Sequence, residues 1–194
     1  SPSERVNRVP RVTTDFWLIK LMAVTMGETA ADYLAVNLGL GLTVTSVIMT
    51  AILAVAIGLQ FSRKRYVPWV YWTAVVLISV VGTLVTDNLV DNFGVPLEVT
   101  TVIFTIALIV VFALWQLSER TLSIHTIYTD RRESFYWLAI LFTFALGTAA
   151  GDLIAEVLAF GYLITALLFA GVIGIICAAY FTGRMNGILA FWLA

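Results

Sequence analysis

Long apolar stretches separated by short polar connections dominate the chain. Apolar and polar residues do not alternate within these stretches, which favours helices over the strands of a membrane barrel. Six of them reach the roughly 20 residues that a helix needs to cross the hydrocarbon core of a bilayer. They cover residues 16–38, 42–61, 70–93, 99–117, 135–160 and 162–181. A seventh begins near Ile188. The pattern predicts an all-α membrane protein with six full helices and the start of a seventh.

The composition points to lipid as a main partner of this chain. Its 194 residues are 61% hydrophobic and 12% charged, with a mean hydropathy of +0.98, whereas about 25% of a soluble domain is charged. A net charge of −1 gives no electrostatic basis for binding nucleic acid. One histidine, His125, and one cysteine, Cys177, exclude a zinc site built from His and Cys within one chain. No nucleophile triad, phosphate loop or metalloprotease motif is present, so we expect no enzyme.

Basic residues give an orientation. Ten of the eleven lie in the N-terminal segment or in the connections after the second, fourth and sixth helices. By the positive-inside rule, the N-terminus is expected on the cytoplasmic side. Lys20 lies one turn inside the first helix, where its side chain is expected to reach back to the same side. The ten others are Arg5, Arg8, Arg11, Arg63, Lys64, Arg65, Arg120, Arg131, Arg132 and Arg184.

An internal repeat organises the helices. An aromatic residue followed by tryptophan recurs four times, with tryptophans at Trp17, Trp72, Trp137 and Trp192. Glycine follows the first three tryptophans by ten residues, aspartate by fifteen and threonine by twenty-eight. These columns are Gly27, Gly82 and Gly147; Asp32, Asp87 and Asp152; and Thr45, Thr100 and Thr165. Four columns in register across three copies indicate duplication of a two-helix unit.

The repeat predicts one transmembrane domain, residues 1–194, built from units of about 12–66, 67–131, 132–186 and a short fourth at 187–194. Because each unit crosses twice, successive units are expected to be parallel and related by rotation about the membrane normal. The pattern resembles the bacterial membrane proteins with four tandem two-helix repeats of unknown function, the DUF347 family. That resemblance implies a location in the bacterial inner membrane and brings no activity with it. It also leads us to expect about one more helix pair after residue 194.

Acidic residues are the candidates for function. The even-numbered helices carry no charge, whereas the odd-numbered ones carry three carboxylate pairs, each spaced i, i+4 on one helical face. The pairs are Glu28 and Asp32, Asp87 and Asp91, and Asp152 and Glu156. Carboxylates without a basic neighbour in lipid must be neutralised by a proton, a cation, a helix N-terminus or hydrogen bonds. The threonine column and three asparagines, Asn37, Asn88 and Asn92, are the supporting polar groups.

Two readings of these columns remain open. In one, the carboxylates form a proton or cation site, with Asp32, Asp87 and Asp152 as ligands for a hard divalent cation such as Mg²⁺, Mn²⁺ or Ca²⁺. The protein is then a transporter or permease for a cation or small solute. In the other, Asp–Thr contacts only hold together a structural or accessory subunit, alone or with a partner or second copy. The glycines are expected to pack helices, and the tryptophans to anchor the membrane interface.

Overall fold

The computed structural model describes residues 6–194, and within that range the chain forms seven α-helices and no strand. The helices are α1 (Thr14–Asp32), α2 (Leu42–Ser62), α3 (Pro68–Asp87), α4 (Leu97–Glu119), α5 (Asp130–Asp152), α6 (Gly161–Phe181) and α7 (Gly187–Leu193). A short 3₁₀ turn, Ile124–Thr126, lies between α4 and α5. The helical fold class predicted from the hydrophobic pattern is confirmed.

Local sequence signals explain where the odd-numbered helices begin. Thr13 and Thr129 accept hydrogen bonds from the backbone N–H groups of the first turns of α1 and α5, and Asn186 does so for α7. Such side chains satisfy amide groups that have no partner within the helix. Pro68 occupies the first turn of α3, where its missing N–H costs nothing.

Five helices are long and apolar enough to cross a membrane. They are Leu42–Ser62, Pro68–Asn92, Leu97–Glu119, Asp130–Val157 and Gly161–Phe181. The sequence predicts α1 as a further crossing, but α1 is more polar because it carries four charged residues: Asp15, Lys20, Glu28 and Asp32. It packs along α3 like the other odd-numbered helices. The chain is therefore a multi-pass helical membrane protein.

The three complete odd-numbered helices each continue into a π-helical turn. These turns are π1 (Tyr33–Asn37), π2 (Asn88–Asn92) and π3 (Leu153–Val157), and each begins directly after the aspartate of its unit. In each, a backbone N–H donates to the carbonyl five residues earlier over 3.0 Å; in π1 this bond joins Leu38 to Tyr33. The repeat is thus one of backbone geometry as well as sequence.

The residue after each π-helical turn reverses the chain in a left-handed conformation. Gly39 and Gly94 have φ angles of 67° and 65°, and Ala159, at the equivalent position, has 56°. Glycine adopts this region without the steric cost that a β-carbon brings. The third unit therefore makes the same turn with a less suitable residue.

Eight aromatic side chains form a closed ring at the end of the bundle where the odd-numbered helices begin. We call these residues the aromatic ring and this end the aromatic end. In each unit the aromatic residue contacts its own tryptophan, with ring centroids 4.9–5.4 Å apart. It also contacts the tryptophan of the next unit: Phe16–Trp72 at 5.6 Å, Tyr71–Trp137 at 5.4 Å, Tyr136–Trp192 at 6.0 Å and Phe191–Trp17 at 5.6 Å.

The last of these contacts returns from α7 to α1 and closes the circle. The four odd-numbered helices therefore surround one axis, in keeping with the pseudo-symmetry predicted from the repeat. Lys20 lies at this junction, with its Nζ 5.2–5.8 Å from the ring centroids of Phe16, Trp17 and Phe191. A cation over aromatic faces is stabilised by their quadrupoles.

Glycines let the odd-numbered helices approach closely. A β-carbon on Gly27 would lie 2.7 Å from Cβ of Ser79 on α3, and one on Gly82 would lie 2.9 Å from Cβ of Phe144 on α5. Ser79 and Phe144 occupy the same position in successive units, so the two contacts are copies of each other. Gly147, the third member of the column, has no neighbour within 4 Å of that position.

The even-numbered helices surround this inner group. Their column threonines, Thr45, Thr100 and Thr165, are buried. The hydroxyls of Thr100 and Thr165 donate to the backbone carbonyl one turn earlier in their own helices, and that of Thr45 has no hydrogen-bond partner. α6 is the least covered helix and packs mainly against π3 and α7.

Candidate functional site: an acidic cavity

All six predicted carboxylates line a single cavity at the end opposite the aromatic ring, which we call the acidic end. The cavity has a volume of about 560 Å³ and lies between α1, α3, α5 and α6. Its charged lining comprises Glu28, Asp32, Asp87, Asp91, Asp152 and Glu156. Gly147 also lines the cavity, which agrees with the open space beside it.

The helix ends determine where these carboxylates lie. Asp32, Asp87 and Asp152 are the last α-helical residues before π1, π2 and π3, so the repeat carries them to equivalent positions. Asp87 and Asp152 are half-buried, and the other four carboxylates are exposed. π-helical turns occur frequently at functional sites because they redirect the side chains around them.

The cavity is strongly acidic, since its lining includes no lysine or arginine. The ion pairs within residues 6–194 all lie elsewhere and join Arg8, Lys64, Arg131 and Arg132 to Glu119, Asp130 and Glu133. Six carboxylates facing one space repel one another unless protons or cations reduce their charge. The electrostatic environment therefore favours uptake of positive charge.

Three segments of the chain, residues 16–66, 70–121 and 135–185, match the family model DUF347, described as a repeat of unknown function. The chain belongs to the DUF347 family. Each matched segment contains one odd-numbered helix, its π-helical turn and the even-numbered helix that follows. Comparison with curated proteins and with solved structures gave no match.

Hydroxyl groups in the cavity were missed at the sequence level. Thr83 and Thr148 line it at the position that Glu28 occupies in the first DUF347 repeat, and their hydroxyls lie 3.5 Å apart. The signal was a polar column eleven residues after each tryptophan. Thr86 also lines the cavity and donates to the carbonyl of Ala145 over 3.0 Å. Tyr162 lies outside any polar column.

Tyr162 links the two walls of the third DUF347 repeat. Its hydroxyl, at the start of α6, donates a short hydrogen bond to the Glu156 carboxylate on π3. Glu156 is thereby the one carboxylate of the six with a printed side-chain hydrogen bond among the described residues. Thr165, one turn further along α6, lines the same cavity.

Most of the predicted supporting groups lie outside the cavity. Thr45, Thr100, Asn37, Asn88 and Asn92 are not part of its lining. Asn88 instead donates to Ser46 Oγ on α2 over 2.6 Å and to the Leu84 carbonyl over 2.8 Å. Asn92 donates to Thr43 Oγ1 on α2 over 3.2 Å and to Asn88 Oδ1 over 2.7 Å. These asparagines fix π2 to α2.

The hypothesis of a shared metal site needs a correction in its geometry. Within residues 6–194, no three His, Cys, Asp or Glu side chains lie close enough to hold one metal ion together. Asp32, Asp87 and Asp152 surround the cavity instead of converging on one point. The arrangement offers carboxylates and hydroxyls around a space far larger than a bare ion.

The repeat tryptophans belong to the packed interior of the aromatic end. Trp137 is buried, and Trp17, Trp72 and Trp192 are partly buried against the same apolar core. The prediction of interfacial anchoring did not include this packing. The tryptophan that does stand on the surface near this end is Trp69, whose side chain is 62% exposed.

Proposed function

We propose that this DUF347 protein is a permease for a cation, either a hard divalent metal ion or a proton-coupled solute, and that the acidic cavity is its binding site. One observation carries the proposal: three separate repeats deliver six carboxylates to one cavity whose lining has no basic residue. Buried or partly buried acidic groups in membrane helices are expensive, and they commonly mark ion pathways and proton relays.

The lining chemistry indicates the class of substrate. Carboxylate and hydroxyl oxygens are the ligands that Mg²⁺, Mn²⁺ and Ca²⁺ prefer, whereas soft metals prefer sulfur. Because the carboxylates are spread around the cavity, a hydrated cation that keeps several waters fits better than a bare one. Protonation of the same carboxylates would provide coupling.

We further propose that the protein lies in a bacterial inner membrane with its aromatic end facing the cytoplasm. The aromatic end carries Arg63, Lys64 and Arg65 before α3 and Arg131 and Arg132 at the start of α5. Basic connections of this kind are retained on the cytoplasmic side. The acidic cavity then opens toward the outer face.

Transport can be measured with purified protein in liposomes that contain a dye quenched by Mn²⁺ or, in a second set, a pH-sensitive dye. We expect uptake by the wild-type protein and a loss of at least tenfold in Asp87→Asn and Asp152→Asn, which keep side-chain shape and remove charge. Glu98→Gln is the matched control, because Glu98 is exposed at the same end but outside the cavity lining. Uptake of neither Mn²⁺ nor protons above protein-free liposomes would contradict the proposal, as would unchanged uptake in both Asn variants.

A non-transporting scaffold held together by Asp–Thr contacts is the second candidate. In the described residues, no hydrogen bond joins the aspartate column to the threonine column. The helices are connected by other groups, such as Ser79 Oγ donating to the Val24 carbonyl and Thr86 Oγ1 donating to that of Ala145. This arrangement leaves the carboxylates unused by the contacts that hold the bundle together, which favours the permease.

A further inference from the structure

Between the acidic cavity and the aromatic end, the axis of the bundle is closed by the aromatic ring. Its four contacts between successive units leave no break around the circle, including the junction of α7 with α1. The ring residues belong to one apolar core that also contains Val9 of the N-terminal segment and Trp115 of α4. A permeating cation cannot cross this level while the ring is packed.

The N-terminal segment (residues 6–12) covers the outer side of the ring. Its Asn7 side chain donates to the Ile124 carbonyl over 2.9 Å and accepts from the Ile127 N–H over 3.0 Å. The Arg8 N–H donates to the Ile127 carbonyl over 2.8 Å, and Gln60 of α2 donates to the Arg8 carbonyl over 3.4 Å. The segment is thus bound to the connection before α5 and to the end of α2.

One buried ion pair joins this segment to the ring. Arg8 donates to Glu133 over 2.6 Å, and both side chains are almost fully buried, with 5% and 0% exposed. Trp137 of the ring donates from Nε1 to the same Glu133 carboxylate over 3.3 Å. Arg8 also pairs with Asp130, which is exposed, over 2.5 Å.

The Arg8–Glu133 pair remains charged under physiological conditions. Burial alone would lower the pKa of the Arg8 guanidinium, but its hydrogen bonds to Glu133 and Asp130 outweigh that effect, so its pKa is raised. Removing one member of such a pair leaves an uncompensated buried charge, which weakens the closed arrangement strongly.

We infer that the aromatic ring and the Arg8–Glu133 pair form the gate that closes the acidic cavity toward the aromatic end. The inference rests on the proposed function, because a gate has meaning only where something permeates. The structure described here is then the state closed at the aromatic end, with the cavity open at the acidic end. Access from the aromatic end requires the N-terminal segment to leave Glu133 and the ring to part. This is the alternation of access expected of a transporter with internal repeats.

Chemical labelling from each side of the membrane tests the gate without measuring transport. In a Cys177→Ser background, which removes the chain's one cysteine, Val90→Cys places a thiol in the cavity lining. A charged, membrane-impermeant methanethiosulfonate is added from one side at a time. We expect the thiol to react from the acidic end at least tenfold faster than from the aromatic end.

Loss of the ion pair should open the second route. Glu133→Gln and Arg8→Gln are each expected to raise the labelling rate from the aromatic end at least tenfold. Arg63→Gln, which removes an exposed arginine at the same end, should leave that rate unchanged. The swapped pair Arg8→Glu with Glu133→Arg should return it toward the wild-type value. An unchanged rate from the acidic end, together with a monodisperse elution profile, shows that each variant is folded.

Equal labelling from both sides in the otherwise wild-type protein would overturn the inference. So would folded Glu133→Gln and Arg8→Gln variants whose labelling from the aromatic end does not change. If labelling follows the expected pattern but Mn²⁺ and proton uptake are absent, the permease proposal fails while the barrier stands. If uptake depends on Asp87 and Asp152 but labelling ignores the ion pair, the gate inference alone is wrong.

Discussion

The hydroxyls of Tyr71 and Tyr136 lie 2.6 Å apart inside the bundle, and these two residues hold the same position in successive repeats. The contact therefore joins two copies of one site across neighbouring parallel helices. Phe16 and Phe191 occupy that position in the first and fourth units. The ring accepts either residue type, but a hydroxyl buried here needs its partner.

Replacing one of these tyrosines should cost more than replacing both. Tyr71→Phe leaves the buried Tyr136 hydroxyl unpaired, which costs about 1–3 kcal/mol, and Tyr136→Phe should cost a similar amount. The double variant recreates the Phe–Phe composition of the other two units and should be closer to wild type than either single variant. Thermal unfolding in detergent measures the effect. A double variant that loses the sum of the two single losses would show that each hydroxyl acts alone.

The glycine column predicts opposite effects of one substitution at two equivalent positions. Gly82→Ala places a methyl group 2.9 Å from Cβ of Phe144 and 3.3 Å from the backbone nitrogen of Ala145, so overpacking should cost about 1–3 kcal/mol. Gly147→Ala meets nothing within 4 Å and should be neutral or stabilising by up to about 1 kcal/mol, since alanine favours helix. Equal shifts in midpoint temperature for the two variants would contradict this account of α3 against α5.

The turn after each π-helical segment predicts a stabilising change. Ala159 has a φ of 56°, a region that costs an L-residue about 1–2 kcal/mol, partly offset by the extra unfolded-state freedom of glycine of about 0.5–1 kcal/mol. Ala159→Gly should therefore stabilise the protein by about 0.5–1 kcal/mol. Gly94→Ala, at the matching position with open space around it, should destabilise it by a similar amount. Unfolding curves of the two variants should shift in opposite directions, and a shift in the same direction would rule out backbone strain as the cause.

Asn88 and Asn37 separate a structural asparagine from an exposed one. Asn88→Ala removes the bonds to Ser46 and to the Leu84 carbonyl, and at about 1 kcal/mol for each bond it should lower stability by about 1–2 kcal/mol. Asn37 is exposed at the end of π1, so Asn37→Ala should stay within about 0.5 kcal/mol of wild type. Hydrogen exchange of the amides in π2 should rise in the first variant only. Equal exchange in both would show that the bonds to α2 do not hold this segment.

Much of the fold could be predicted because duplication fixes the register. Trp17, Trp72 and Trp137 define a frame, and any residue at a constant distance from them must reach an equivalent place in each unit. That reasoning brought Asp32, Asp87 and Asp152 to one end and predicted glycines at helix contacts. The same frame contained Thr83 and Thr148, and comparing them with Glu28 would have placed them in the cavity.

Other features could not be predicted because they depend on contacts between distant segments. Nothing local to Arg8 indicates that it pairs with Glu133, 125 residues away. Tyr162 reaches Glu156 only because the chain turns sharply at Ala159 and Gly161. The grouping of Asn88 with the cavity failed for a similar reason, since its side chain turns toward α2. The tryptophans follow the general preference for membrane interfaces in composition, yet their mutual packing is a property of four helices meeting.

The π-helical turns make the length of each odd-numbered helix a matched quantity. Each turn holds one residue more than regular α-helical geometry would need to span the same bond pattern. Deleting a single residue from π1, for example Leu34, would restore an α-helical ladder and rotate all that follows by about 100°, given about 3.6 residues per turn. The Asp32 wall would then meet α2 in a different orientation from the walls built by Asp87 and Asp152. A protein assembled from copies thus tolerates changes of residue type within a unit more readily than a change in the number of residues in one copy alone.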